Sequence, residues 1–137
     1  MREKTKSITL AGMVWRMDKI NALDGSNLIR MFTSAGNVNP QEFLANMPSE
    51  QFSKIQLMLL TNVFKTEEIN GQQIYTPVML PTGVVDPGIS DSGLLFMLTV
   101  ISLLFNMSGF FGENTLKEFQ EVVKEFIPSA DAKVSVS

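Results

Sequence analysis

The sequence of 137 residues contains neither cysteine nor histidine. Without cysteine the chain can form neither a disulfide nor a thiolate metal site, which fits a reducing compartment. The absence of both residues also excludes Cys-His and Ser-His-Asp nucleophile arrangements, and metal sites built on histidine. No Gly-Lys-Ser/Thr phosphate-binding pattern occurs in the sequence. We therefore expect a protein that is not an enzyme, with no catalytic residue, no cofactor and no bound metal.

Charge is scarce as well. The chain has 11 basic and 14 acidic residues, a net charge of −3, and no Lys or Arg between Lys65 and Lys117. Five of the basic residues lie within the first twenty, where residues 2–6 are interpreted as a solvated terminus. Because a surface that binds nucleic acid requires clustered basic residues, we expect no nucleic-acid partner.

Two pairs of acidic residues are candidates, one for a cation-binding site and the other for acid/base catalysis. Asp86 and Asp91 lie in a loop rich in turn residues. Calcium requires six or more oxygen ligands, so a turn followed by a helix cap is the preferred interpretation of this pair. Glu67 and Glu68 are adjacent in a polar segment and point in different directions, which favours a solvated turn over an acid/base pair.

A long uncharged segment lies near the C-terminus. Residues 93–112 carry no charge, and the twelve residues 94–105 are almost purely apolar. Fully burying one large apolar side chain is worth about 1.5–3 kcal/mol, so this segment requires a core, a membrane or a partner. A membrane-spanning helix needs about 20 mostly apolar residues. We therefore predict a buried helix of a soluble domain, with a small membrane-associated protein as the alternative.

Two short β elements are predicted. Alternating residues over 8–10 and 13–17, across a two-residue turn, predict an N-terminal β-hairpin. Asn70-Gly71 is a strong turn signal inside the polar connection 67–73. The segment near 74–80 can form a short strand, which Pro77 restricts to the edge of a sheet.

The rest of the chain predicts helices, from the spacing of apolar residues and from capping residues. Three predicted helices begin at the start signals Asp24-Gly25-Ser26, Asn39-Pro40 and Pro48-Ser49-Glu50. A fourth spans residues 92–107, and a fifth begins at the capping box of residues 115–118. The apolar stripe of the third helix continues through Val63 and Phe64. The predicted fold is thus mainly α: a single all-helical domain over residues 1–137 with a small N-terminal hairpin. Residues 1–6 and 129–137 are expected to be flexible.

Methionine and phenylalanine are abundant, with nine and ten copies respectively. Methionine is flexible and polarizable, and surfaces rich in it adapt to varied apolar partners, although the same residues also fill gaps in cores. Trp15 has the same two interpretations, as a binding anchor or as simple packing. Many apolar residues and few charges predict an exposed apolar patch, and hence self-association.

Four segments carry a resemblance to a known family. They are residues 19–24, 43–48, 75–79 and 105–111. The most distinctive are Pro77-Val78 in the third segment, and Asn106 followed by Phe110 and Phe111 in the last. In this order, over roughly residues 7–112, they resemble the tail assembly chaperones of long-tailed bacteriophages, especially the contractile type. The loop 81–92 is long for that pattern, and a further capped helix follows residue 111.

The resemblance implies a small helical protein that works in the cytoplasm of the host cell. Such a protein binds the tape measure protein and keeps it soluble until tail-tube subunits polymerise around it, which makes the tail tube protein a second implied partner. No apolar segment typical of a secretory signal follows the N-terminus, in agreement with that location. The rival interpretation from another class is a structural subunit of a phage tail or baseplate.

The predicted partner-binding residues follow the apolar helix. Phe105, Met107, Phe110 and Phe111 are expected to border a groove that takes an amphipathic helix of the tape measure protein. The alternative is that the two last phenylalanines fold back and cap the core. The double change Phe110→Ala, Phe111→Ala distinguishes the two interpretations.

Overall fold

The computed structural model of the chain describes residues 4–36, 39–107 and 133–134. Within them the chain forms four helices and five strands. In chain order these are β1 (Thr5–Leu10), β2 (Met13–Asp18), α1 (Ala22–Ser34), α2 (Pro40–Asn46), α3 (Ser49–Leu60), β3 (Val63–Ile69), β4 (Gln72–Pro77), α4 (Ser92–Asn106) and β5 (Lys133–Val134).

The strands form one antiparallel sheet with the order β4-β3-β2-β1-β5. β5 adds two residue pairs at the far edge, so β1 to β4 make up most of the sheet. The protein is therefore an α/β protein with an antiparallel sheet. The predicted mainly α class, and with it the all-helical description, is wrong.

The end of α3 explains this difference. The sequence pattern continues a helical apolar stripe through Val63, whereas α3 ends before that residue. Thr61 Oγ1 and Asn62 Nδ2 donate to the carbonyl oxygen of Met58, over 3.3 and 3.2 Å. Short polar side chains of this kind compete with the helical backbone for hydrogen bonds, which favours the end of a helix. The apolar residues that follow therefore belong to a strand.

A second hairpin joins β3 to β4 through Asn70 and Gly71. Their φ angles are 54° and 79°, and a type I′ turn requires positive φ at both central residues. β4 lies at the edge of the sheet, so an edge strand is present, at Gln72–Pro77 rather than near 74–80. The polar segment 67–73, predicted as a connection, is divided between the two strands and their turn.

The predicted N-terminal hairpin is present as β1 and β2, which pair over their full length. Its turn residues Ala11 and Gly12 have φ angles of 55° and 72°. Trp15 is fully buried, and its Nε1 donates to the carbonyl oxygen of Leu10 over 3.0 Å. Of the two interpretations of Trp15, packing is therefore the one that the structure supports.

Capping residues determine where the helices begin. Asn21 Oδ1 accepts a hydrogen bond from the backbone N–H of Asp24, and Asn21 Nδ2 donates to the Asp24 carboxylate. This reciprocal cap starts α1 at Ala22, earlier than the predicted start after Asp24-Gly25-Ser26. The predicted start of α2 is confirmed, with Asn39 as its cap.

The predicted buried helix over residues 94–105 is confirmed by α4. Ten of its 15 residues are buried, on every side of the helix. Eight of the ten are apolar, and these join the buried side chains of β1, β2, β3 and the other helices in one hydrophobic cluster. Among the described helices, none has both the length and the apolar content needed to cross a membrane.

Several predictions concern residues outside the described part of the chain. They are the break at Ser108-Gly109, the helix from residue 115 and most of the flexible segment 129–137, of which residues 133 and 134 form β5. Of the N-terminal segment 1–6, residues 5 and 6 belong to β1.

Candidate functional site: two adjoining clefts

The larger of two adjoining clefts lies between α1 and the segment that joins α2 to α3. Its volume is about 690 Å³, and Met31, Phe43 and Met47 form much of its apolar wall. The ring of Phe43 meets that of Phe32 edge to face, with centroids 5.3 Å apart. This aromatic contact holds α2 against α1 and so fixes one wall of the cleft.

The smaller cleft lies on the other side of Met47, between α2, α3 and α4. Its volume is about 390 Å³, and its lining includes Leu44, Phe52 and Phe96. The rings of Phe52 and Phe96 are stacked with centroids 6.1 Å apart, one from α3 and one from α4. The cleft is therefore formed where three helices meet.

Met47 lines both clefts and so forms the boundary between them. It follows α2 in an extended conformation, with ψ of 154°. Pro48 enforces this conformation, because a residue before proline is disfavoured in the helical region. A half-buried, unbranched thioether at the boundary lets the shape of both clefts adjust to an apolar occupant.

The clefts carry little charge. Among the described residues that line them, Arg30 alone is charged. Gln51 supplies a further polar group, and its Nε2 lies 3.9 Å from the sulfur of Met31. Polar residues also line the larger cleft, namely Asn27, Arg30, Ser34, Asn46 and Gln51. The smaller cleft is lined mostly by apolar residues.

Two of the predicted partner-binding residues lie in the core. Phe105 and Met107 are 4% and 1% exposed. The ammonium group of Lys19 lies 5.2 Å from the ring centroid of Phe105, so that ring has an intramolecular partner. Phe110 and Phe111 lie outside the described residues. The structure thus places Phe105 and Met107 away from the surface. The partner-binding role of the four residues stays a prediction.

Asn106, the first residue of the resemblance motif, has a structural role here. Its Oδ1 accepts a hydrogen bond from the backbone N–H of Ile20 over 2.8 Å. Its Nδ2 donates to the carbonyl oxygen of Ser102, also over 2.8 Å. The side chain therefore joins the end of α4 to the segment that leads into α1.

The acidic residues serve the fold. Asp91 caps α4 by accepting hydrogen bonds from the backbone N–H groups of its first turn, so the predicted cap is confirmed. Asp86 forms an ion pair with Lys65 over 3.0 Å. Glu67 and Glu68 are exposed but belong to β3, so their interpretation as a turn is wrong. Within the described ranges, no group of three or more acidic residues is placed to hold a metal ion.

The sequence predicts Phe43 and Met47 on the apolar face of one short helix and Phe52 on that of the next. It did not predict that these residues line clefts. The abundance of methionine and phenylalanine was the available signal. A cleft depends on the angles at which helices meet, and side-chain periodicity along one helix carries no information about those angles.

Comparisons with protein families, with characterised proteins and with solved structures found no match to this chain. The resemblance to tail assembly chaperones therefore rests on the sequence segments alone. The geometry of the two clefts is an independent observation about what the protein can bind.

Proposed function

We propose that the protein is a phage tail assembly chaperone without enzymatic activity. In this proposal it binds the tape measure protein in the cytoplasm of the host cell and keeps it soluble until the tail tube polymerises. One observation carries the proposal beyond the sequence resemblance: two adjoining clefts, each with large apolar side chains in its wall, share the flexible side chain of Met47.

The arrangement suits an amphipathic helix as the bound segment. Such a helix presents large apolar side chains at positions i, i+3 or i+4, and i+7, and docks by inserting them into successive hollows. Two clefts separated by one adaptable residue provide such hollows. Methionine-rich surfaces accept varied apolar side chains, which a chaperone for a long helical client requires.

The low charge of the clefts fits a chaperone that must release its client. Arg30 is the charged residue available to contact an acidic residue beside the apolar stripe of the client. Apolar contacts between the clefts and the client are contacts that tail-tube subunits can replace with their own apolar surface. Displacement by the tail tube protein therefore requires no chemical step.

The proposal is tested by expressing the chain together with the tape measure protein encoded in the same genome. We expect the native chain to keep that protein soluble and to co-purify with it. Met47→Asp places a charge at the boundary of both clefts and should abolish the co-purification. Leu23→Asp is the matched control, because Leu23 lies on α1, is 73% exposed and lines neither cleft.

Circular dichroism of both variants checks that they remain folded. A folded Met47→Asp variant that still protects the client fully would contradict the proposed site. Recovery of the native chain in stoichiometric amounts from finished particles would favour a structural tail or baseplate subunit. A requirement for detergent would favour a membrane-associated protein.

A further inference from the structure

The β3–β4 hairpin extends beyond the buried part of the sheet. Burial decreases along β3 toward its turn, and the first four residues of β4 are exposed. Ile69 and Ile74, which lie on one face of the hairpin, are 47% and 40% exposed. Tyr75 is 41% exposed on the opposite face, with the guanidinium of Arg16 over its ring.

The outer edge of β4 presents backbone groups in a defined order. The backbone N–H of Val78 donates to the carbonyl oxygen of Val63, so every second residue before it also turns its backbone groups toward β3. The residues between them, Gln73 and Tyr75, therefore direct their N–H and C=O groups away from the sheet. Pro77 directs only a carbonyl outward, because it has no N–H.

This edge lacks one of the usual protections against strand pairing, a charged side chain, and Pro77 blocks a hydrogen bond only at its last position. Proteins commonly place charged residues, above all lysine, on exposed edge strands. Residues 69–85 contain no charged residue of either sign, and they include all of β4. An uncharged strand can approach an identical strand without repulsion between like charges, so β4 is complementary to its own copy.

We propose that two copies of this chain associate by antiparallel pairing of β4 with β4 across a two-fold axis. In one register, Gln73 of each copy lies opposite Tyr75 of the other copy. Each of these two pairs exchanges both of its backbone hydrogen bonds. This register places Ile74 on the axis, opposite its own equivalent. That position is a non-hydrogen-bonded pair, in which opposed Cα atoms are only about 4.5 Å apart.

The proposed pairing also covers the exposed apolar residues of the hairpin. Ile69 is a diagonal neighbour of Ile74 on the same face, so the two copies bring four isoleucine side chains together around the axis. The contact area of one strand pair is below the roughly 1,200 Å² of standard stable interfaces. The dimer is therefore expected to form and dissociate with concentration.

Because the native sequence contains no cysteine, a thiol introduced by mutation is the only one that can form a disulfide crosslink. Ile74→Cys places one thiol opposite its equivalent across the axis, and mild oxidation should convert the variant into a covalent dimer. Leu23→Cys is the control, because Leu23 is more exposed than Ile74 and lies on α1, so random collisions would crosslink it at least as fast. Equal crosslinking rates for the two variants would overturn the proposal.

A second variant tests the hydrogen bonds. Gln73→Pro removes an outward N–H and leaves the ladder between β3 and β4 intact, since proline is tolerated where the N–H of an edge strand faces solvent. Loss of two of the four interstrand hydrogen bonds should raise the dimer dissociation constant about tenfold or more, measured by analytical ultracentrifugation.

The outcomes that contradict the dimer are equally specific. A native chain that stays monomeric at every accessible concentration would overturn it, as would a dimer that Gln73→Pro leaves unchanged. Protection of the introduced thiol in the Ile74→Cys variant only when the tape measure protein is present would assign the edge to the client instead. The two clefts are not part of this interface, so the dimer and the proposed function can fail independently.

Discussion

Ala11 occupies the first central position of the β1–β2 turn with a φ angle of 55°. This left-handed conformation brings Cβ close to the following carbonyl oxygen and costs an L-residue about 1–2 kcal/mol. The corresponding position of the β3–β4 turn holds Asn70, with a φ angle of 54°. Asparagine tolerates this conformation better than alanine does. The chain therefore contains two turns of the same kind, one of which has the less suitable residue.

We expect Ala11→Asn to stabilise the protein by about 0.4–1 kcal/mol, because it makes an Asn-Gly pair at a type I′ turn. The midpoint of urea unfolding should rise while its slope stays constant. Ala11→Val is the control and should destabilise the protein, since a β-branched residue is strongly disfavoured at positive φ. A lower midpoint for Ala11→Asn would show that the turn geometry is not limiting.

At the scale of elements, a single ion pair joins β3 to the loop before α4. Lys65 Nζ lies 3.0 Å from Asp86 Oδ2 and 3.6 Å from Glu67 Oε1. The side chains of Lys65 and Asp86 are only 14% and 12% exposed. The hydrogen bond with Asp86 raises the pKa of Lys65 above its ordinary 10.5, and the charges of Asp86 and Glu67 add to the effect.

Lys65→Met should destabilise the protein by about 1–3 kcal/mol at pH 7, because the Asp86 carboxylate loses its partner in a mostly buried position. The native pair stabilises the fold below the unfolded pKa of lysine, near 10.5, and loses this effect as pH rises through the higher folded pKa. The difference between native and variant in urea unfolding should therefore shrink above pH 10.5.

The pair of Glu50 and Lys54 on α3 is the control for this prediction. Its atoms are 3.9 Å apart and its side chains are 87% and 77% exposed. Lys54→Met should change the free energy of unfolding little, since exposed pairs contribute about 0–1 kcal/mol. If the two lysine variants behave alike, the Lys65 pair does not anchor the loop.

The strand β3 marks the limit of what the sequence could predict about the elements. Capping residues located α2 and α4, because a cap acts within a few residues of itself. Val63 and Phe64 continue a helical spacing, and only the interruption by Thr61 and Asn62 separates them from α3. The Asn70-Gly71 pair was the available signal for a hairpin, but the charged and polar residues around it lack the apolar alternation of a half-buried strand.

At the scale of the molecule, the low charge predicts how the proposed client binding responds to salt. The screening length falls from about 10 Å at 0.1 M to about 3 Å at 1 M ionic strength. Because Arg30 alone is charged among the described cleft residues, co-purification with the tape measure protein should persist across this range. Arg30→Ala should remove what salt dependence remains. A steep loss with salt would instead indicate association through nucleic acid.

The candidate site, like the strand β3, could be predicted from the sequence only in part. Composition indicated an adaptable apolar surface, but it did not indicate where that surface lies. Phe105 and Met107 were predicted at a groove because they end the apolar helix, and they are buried. Met47 and Phe52 come from a short link and from a different helix, and tertiary packing alone brings them beside Phe96.

The position of α4 in the sequence bears on how the protein is made. This helix contributes ten buried residues, yet four strands and three helices precede it in the chain. During translation, Trp15 and Leu59 are synthesised before the helix that completes the core around them. The bond between Asn106 and Ile20 can close only at the end of α4. The elements that precede α4 therefore lack the helix that completes their core until it is made, and a protein proposed to shield another chain is itself exposed until then.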